Sequence, residues 1–448
     1  MERFDIQPKE FYVQAILNTP DNGLQYELVP ICEKTRCDRC QSSNIIKHGN
    51  ADRYIRDLSA HGKLVGLHIR GHRYRCKDCG STFSDSYRSI NDRYKMTNRM
   101  REYIMQKAFS RPFAHIADEL SIHKVTVRDL FLEAAKQKDA QRVLYAPKIL
   151  GIDENHLGGQ YRGILTDISN ALIIEILPKR TKPELSAFLK TLPGKEHTEC
   201  VTFDMWRPYR DIAKQFFPNA VLVVDKFHVV KELNKSLEAI RVQLRSDLTS
   251  AERRDLLHSR WTLLSNGEDL SLTQRDQLDE VFYKHPQFEL PYRLKEEFRH
   301  IYLDAGDKEH AQSLYRDWRN EAVRCAGLEG FVTTIDHWKE EIFNYFDYPA
   351  TNAVTESLNR LVDEINNQGR GYSFDVLRAK VLYDDRAQSS QEFRFVKGIP
   401  PATSQMGWYS SSNKTASLVS EPTAPYEACK SYGAHIMKWL EVLQNERF

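Results

Sequence analysis

The chain has 448 residues, 41% hydrophobic and 28% charged, the balance of a soluble globular protein with more than one domain. No apolar run approaches the roughly 20 residues of a membrane span, and the N-terminus "MERFDIQPKEFYVQ" lacks a signal-peptide layout, so a cytoplasmic protein with no membrane partner is expected. The net charge of +2 hides an asymmetry: residues 1–30 sum to −3, residues 31–150 to +11 and residues 151–448 to −6, which predicts a polyanion-binding module joined to an acidic remainder.

Residues 1–30 carry little signal, and residues 31–86 read as small β-rich structure. "LVGLHIRGHRYRC" alternates apolar and basic residues, as a half-solvated strand does. Two cysteine pairs frame this segment, Cys37 and Cys40 in "CDRC", Cys76 and Cys79 in "CKDC". A two-residue gap lets a tight knuckle aim both sulfurs at one ion, and two knuckles complete the tetrahedron of a structural zinc. Four protein ligands leave no open position for chemistry. The 35 residues between the pairs require a strand-bearing insertion. His48, His61, His68 and His72 lie in it as surface or nucleic-acid-contacting groups rather than further ligands.

Residues 97–138 read as helices. "FAHIADELSIHKVTVRDLF" predicts a first helix over Phe113–Leu120, a turn at Ser121–His123 and a second helix from Lys124. That layout is either an ordinary helical hairpin or a helix-turn-helix. In the second case Lys124, Thr126 and Arg128 reach base edges in a DNA major groove. From residue 147 the pattern becomes β-β-β-α-β-α-β: hairpins and then crossovers, hence a mixed sheet with helices packed on it. Residues 229–350 show no strand and read as an all-helical block, with Trp261, Trp318 and Trp338 in its core. A helix returns at 353–366. Residues 399–426 read as loop, before a closing helix.

Carboxylates stand where strands end. "LGID" stops at Asp153 and "VTFD" at Asp204, and a neighbouring pair of ionised carboxylates is costly unless a cation lies between them. Magnesium, which prefers oxygen ligands, removes that cost, and Glu356 on the returning helix is the candidate third ligand. The plainer alternatives are a strand-end turn at Asp153, a helix cap at Asp204 and a solvated helix acid at Glu356. Asp225 and Glu154 compete for a place in such a site. His228 either lines it or is a buried, hydrogen-bonded imidazole. Trp206 either packs the core or stacks on an unpaired base; Arg207, Arg210 and Lys226 either hold phosphates or are surface charges.

These motifs together resemble the ISL-three family of bacterial insertion-sequence transposases. The resemblance runs over roughly residues 30–395 and is carried by the paired cysteines, "ILGIDE", "VTFDMWRPYRDIAKQFFPNAVLVVDKFHVVKELN", "LPYRLKEEF" and "TNAVTESLNRLVDEINNQGRGYSF". It implies an α/β multidomain protein: an N-terminal segment (1–30), a zinc ribbon (31–90), a helix-turn-helix DNA-binding domain (91–146), a ribonuclease-H-like mixed-sheet core (147–234 and 346–398) interrupted by a large all-helical insertion (235–345), and a C-terminal loop and helix (399–448). It assigns the DDE triad to Asp153, Asp204 and Glu356, holding two magnesium or manganese ions. The implied activity is binding of the element's terminal inverted repeats, metal-dependent cleavage that frees a 3′-hydroxyl, and strand transfer into target DNA. A homodimer or higher oligomer synapses the ends, in the bacterial cytoplasm at the nucleoid. Two other readings of the same residues are a transposase-derived DNA-binding regulator without catalysis and a metal-dependent nuclease without strand transfer. Water and then the freed hydroxyl are the attacking groups in the transposase reading.

Overall fold

The computed structural model describes residues 10–244, 248, 249, 253 and 257–384; the expected C-terminal loop and helix lie outside them. Two compact units are present. Among the described residues the first runs to Arg142 and also takes in Gln368–Gly371 and residues 375–384; the second holds Val143–Asn367 and Tyr372–Phe374.

The first unit opens with β1 (Phe11–Asn18) and β2 (Leu24–Pro30), in a segment whose residue pattern predicts no element. With β4 (Arg53–Ala60), β5 (Lys63–Ile69), β8 (Ile90–Asn91) and β9 (Met96–Thr97) they form a six-stranded sheet, ordered β1-β2-β5-β4-β9-β8. Its inner face is a small core of Phe11, Tyr26, Leu28, Ile55, Val65, Leu67, Ile69 and Ile90. A second sheet, β3 (Ile45–Asn50), β6 (His72–Cys76) and β7 (Thr82–Ser84), carries the cysteine knuckles. "LVGLHIRGHRYRC" is therefore two strands in two sheets and not one. The chain passes between them at Gly71, where a Cβ would come within 2.7 Å of the Ala51 carbonyl oxygen. Three helices follow: α1 (Asn98–Lys107), capped by Thr97, α2 (Phe113–Leu120) and α3 (Lys124–Gln141). Ser121, at φ +50°, turns the chain between α2 and α3, whose facing sides bury Ile116, Ala117, Leu120, Val127, Leu130 and Phe131.

The second unit is built on β10 (Ile149–Leu157), β11 (Gln160–Asp167), β12 (Leu172–Ile176), β13 (Cys200–Phe203) and β14 (Val221–Val224), ordered β12-β11-β10-β13-β14. β10, β11 and β12 are antiparallel neighbours, turned at Gly158–Gly159 and again after Asp167, whereas β13 and β14 run parallel to β10. Those parallel pairs are reached through α4 (Lys182–Thr191) and α5 (Arg207–Phe216), since a parallel neighbour needs a crossover. "CVTF" is buried at all four positions, as a strand covered on both faces must be.

α6 (Lys226–Leu244) leads into a block that is entirely helical among the described residues: α7 (Arg260–Leu264), α8 (Leu272–Lys284), α9 (Glu289–Asp304), α10 (Lys308–Ala322), α11 (Glu329–His337) and α12 (Lys339–Phe343), joined by short 3₁₀ turns. Phe298, Tyr315, Trp318, Phe331 and Trp338 continue the apolar core of the sheet into this block. Trp261 departs from the expectation. It is 68% exposed, because α7 is a short helix that turns Thr262 and Leu263 inward instead. The chain then returns to the sheet as α13 (Ala353–Gln368). The last described helix, α14 (Phe374–Tyr383), belongs from Asp375 onward to the first unit. There the buried Lys380 donates to the carbonyls of Ala108 (2.6 Å) and Arg111 (3.0 Å), answering the open C-terminal end of α1.

Candidate active site

Register brings three aspartates to one end of the sheet. Ile152 pairs with Phe203 across β10–β13, and Phe203 with Val224 across β13–β14; the next residues are Asp153, Asp204 and Asp225. Asp153 does not end its strand, however. β10 continues to Leu157 against β11, and Asp153 sits where the parallel partner β13 stops. The loss of a neighbour on that side opens room for side chains from elsewhere.

α13 fills that room, and its attachment to β10 is specific. Gly151 is the contact point: a Cβ there would fall 2.4 Å from Thr166 Oγ1 and 2.6 Å from Thr355 Oγ1, which themselves share a 2.7 Å hydrogen bond. Asn352 donates through its backbone N–H to Asp225 Oδ1 (3.1 Å) and through Nδ2 to the Ile152 carbonyl (3.4 Å). Asn359 Nδ2 donates to Asp153 Oδ2 (2.8 Å), and Asn155 Nδ2 to the Asn359 carbonyl (3.1 Å). Glu356 lies between Asn352 and Asn359 on the helix. A ligand oxygen of Glu356, one of Asp225 and a ring nitrogen of His228 all fall within 4.8 Å of one another.

His228 links this trio to the rest. Its Nδ1 is 2.8 Å from Asp204 Oδ1 and 3.4 Å from Asp225 Oδ2. The acids strain against one another. Burial, reinforced by the charge of Asp204, pushes the Asp153 carboxyl up to about 8. Burial and the charge of Asp225 raise Glu356 to about 7. Burial alone would lower the His228 imidazole, but its contacts with Asp204 and Asp225 override that and raise it to about 10. An imidazolium thus offsets part of the repulsion and not all of it.

The donor set fits a hard divalent cation. The donors are mainly carboxylate oxygens, and burial together with neighbouring acid charge raises the Asp153 and Glu356 carboxyls, a cost that a bound cation would relieve. Asp204 Oδ1 is buried yet accepts no well-directed hydrogen bond, even from the nearby imidazole. Among the described residues Glu356, Asp225 and His228 stand close enough to share one ion; Asp204 reaches them through His228, and Asp153 lies on the neighbouring strand.

The remaining candidates divide. Glu154 is held by Tyr209 (3.2 Å) and paired with Arg180, so it braces the site from the side. Trp206 packs against the sheet core, with Tyr209 edge-on to it and Arg180 over its ring at 4.9 Å. Arg210 donates to the His337 carbonyl (3.1 Å) and ring (2.7 Å) and lies over Trp338 at 4.1 Å, while Arg207 meets the same imidazole at 3.4 Å. Both arginines fasten α5 to the helical block. Burial lowers the Lys226 ammonium, which sits over the Tyr302 ring at 5.3 Å. Asn155, Asn352 and Asn359 went unread in the sequence. The signal of the last two was present in "TNAVTESLNRLVD", where Asn352 just precedes α13 and Glu356, Asn359 and Asp363 fall on one of its faces.

In the first unit the four cysteine sulfurs lie within 4.8 Å of one another, with Cys37–Cys79 at 3.7 Å and Cys40–Cys76 at 3.6 Å. The knuckles share one geometry. Gln41 N–H donates to the Cys37 carbonyl (3.0 Å) and Gly80 N–H to that of Cys76 (3.1 Å), with positive φ at both donors. The Ser81 hydroxyl and knuckle amides lower the Cys37 thiol to about 6, favouring the thiolate a metal needs. Four sulfurs in this arrangement fit zinc. None of the four intervening histidines joins the cluster. On α3, Lys124 and Arg128 are exposed and Thr126 is half-buried; Arg128 reaches Asp129 at 2.9 Å.

Both units have counterparts among known proteins. A family model described as "Transposase", of the ISL3 DDE type, matches residues 150–381, and one described as "zinc-finger of transposase IS204/IS1001/IS1096/IS1165" matches residues 33–79. The transposase for insertion sequence element IS1001 of Bordetella parapertussis is 25% identical over 368 residues, covering 79% of this chain and 89% of that one. The transposase for insertion sequence element IS1557 of Mycobacterium tuberculosis is 25% identical over 203 residues, 39% of this chain and 45% of its own length. With a matched region that spans more than half its length and a matched zinc finger ahead of it, the chain belongs to the ISL-three family of insertion-sequence transposases.

Proposed function

We propose that the first unit binds the terminal inverted repeats of the insertion sequence and that the carboxylate cluster of the second unit cleaves the ends and transfers them to target DNA. The observation that carries this is the in-register row Asp153–Asp204–Asp225 with Glu356 delivered onto it by α13. The antiparallel hairpins followed by parallel crossovers support a ribonuclease-H-like core, with the helical block as an insertion between β14 and α13. The tight α2–α3 turn beside a basic zinc module supports a helix-turn-helix that presents Lys124, Thr126 and Arg128.

Two magnesium or manganese ions at the cluster would supply Lewis acidity to the phosphodiester and a lowered pKa to the attacking water. The protein's own part is placement. Asn359 fixes the rotamer of Asp153, the Asn352 amide fixes Asp225, and the Thr166–Thr355 contact sets how deeply α13 seats Glu356. In the first step a water oxygen attacks phosphorus and the 3′-oxygen leaves as a hydroxyl. In the second step that hydroxyl attacks a target phosphodiester, displacing a new 3′-oxygen. Synapsis of two ends implies a homodimer or higher oligomer acting at the bacterial nucleoid.

The test is incubation of the full chain with labelled duplex, taken from either side of the gene, in magnesium. Joined products support the proposal. Cleavage without joining makes the protein a nuclease, and binding without cleavage makes it a regulator.

A further inference from the structure

A cleft of about 560 Å³ opens in the first unit between the outer face of the six-stranded sheet and the start of α3. That volume is within the roughly 300–1,000 Å³ of sites that take nucleotide-sized ligands. Its floor is Gly66, which pairs with Gln25 on β2 and Arg56 on β4. Glycine weakens a strand interior, and where it stands in one another backbone or a ligand often approaches closely. Here the fold itself makes no such demand: no φ in the glycine-only region is recorded at Gly66, and a Cβ added there would meet nothing within 4 Å. The space above Gly66 is open to something that is not part of the unit.

The walls say what that is. Arg56 and Lys95 are exposed on the lining, His123 and Thr126 close it from α3, and Tyr54, 66% exposed, forms one side. No acidic side chain is among the described residues that line it. The segment that contains it, residues 31–150, carries a net charge of +11. Arg56 also donates to the Ser121 carbonyl, which ties the sheet to the α2–α3 turn and keeps the two walls in fixed relation.

We propose that this cleft holds the sugar-phosphate backbone of duplex DNA, the strand bordering the groove that α3 enters. The inference rests on the reading of the first unit as the DNA-binding unit and adds the surface that grips the backbone. Phosphate oxygens meet Arg56 and Lys95, the Thr126 hydroxyl donates to one of them, and the absent side chain at Gly66 lets the strand lie against the sheet. Such contacts fix register without reading sequence.

The test uses the full chain and a fluorescent 30-base-pair duplex of arbitrary sequence, titrated from about 50 to 250 mM potassium chloride, the range over which released counterions dominate binding. Gly66→Val should raise the floor of the cleft without changing charge and weaken binding at least about tenfold. Lys95→Gln should weaken it and reduce the slope of log K against log salt by about one. Zinc content and melting temperature should match the parent for both. Wild-type affinity and slope in both variants, with weakened binding in Lys124→Ala and Arg128→Ala, would overturn the cleft and leave the DNA-binding reading standing. Failure of the parent protein to bind either this duplex or one taken from either side of the gene overturns both. Should Gly66→Val fail to fold, the salt slope of Lys95→Gln decides alone.

Discussion

Burial, with the charge of neighbouring acids added to it, raises the Asp153 and Glu356 carboxyls, and the consequence is a pH dependence with a definite sign. In the folded protein without divalent metal they keep their protons to about 8 and about 7; in the unfolded chain they release them near their ordinary values of 3.8 and 4.5. The folded state thus binds more protons across that window, so stability falls as pH rises from about 4 to about 8. His228, raised from 6.5 to about 10, adds stability that is complete below 6.5 and is lost as pH rises toward 10, which extends the decline. Melting temperatures in magnesium-free buffer between pH 5 and 9 should show this fall, and Asp153→Asn should flatten its lower part. A rise with pH in the parent would contradict the arrangement. Gly151 gives a second residue-scale prediction. Gly151→Ala places a methyl against Thr166 and Thr355, so α13 must back away from β10. An ångström of misplacement at Glu356 is expected to cost on the order of a hundredfold in cleavage rate, measured at saturating DNA. Overpacking should take only about 1–3 kcal/mol from stability.

Elements differed in how plainly the sequence announced them, and the reason is whether their partners are local. The ends of α2 and the start of α3 fall where the apolar spacing and "SIH" put them, because cap, turn and buried face all lie within 20 residues or so. β10 to β14 were legible for a similar reason: short apolar runs separated by turn signals or amphipathic helices. β1 and β2 were not. "FYVQAILN" leaves Tyr12, Ile16 and Leu17 exposed, so its alternation is blurred, and β2 gains its position from a parallel pairing with β5 that nothing local encodes. The cysteine spacing identified the ligands, but could not tell that the intervening strands serve two sheets. The zinc knuckles carry the prediction at this scale. Cys40→Ser should abolish zinc retention through gel filtration, since three sulfurs no longer close the tetrahedron. The β3-β6-β7 sheet should then lose protection in hydrogen exchange while β10, β13 and β14, in the other unit, keep theirs. Equal loss in both units would contradict an independent zinc-supported module.

At the scale of the whole chain, the candidate site is assembled from segments about 200 positions apart, Asp153 and Glu356 being separated by 203. The sequence could nominate those acids by the apolar runs that lead into Asp153 and Asp204 and by the returning helix that carries Glu356. It could not show that Asp225 and His228 stand nearest to Glu356, because that follows from the β13–β14 register and from how α13 docks. Nor could it assign Arg207 and Arg210 to His337, a residue of the helical block more than 120 positions later. DNA breakage by the acids at the end of the sheet, completed by α13 and a divalent cation, is what the proposed function requires. Its most direct test is single-turnover cleavage of labelled end DNA in magnesium by the parent and by Asp153→Ala, Asp204→Ala and Glu356→Ala. Each variant should bind that DNA as the parent does and lose at least about a thousandfold in rate, about 4 kcal/mol of barrier. Parent-like cleavage by any one of the three would contradict the account.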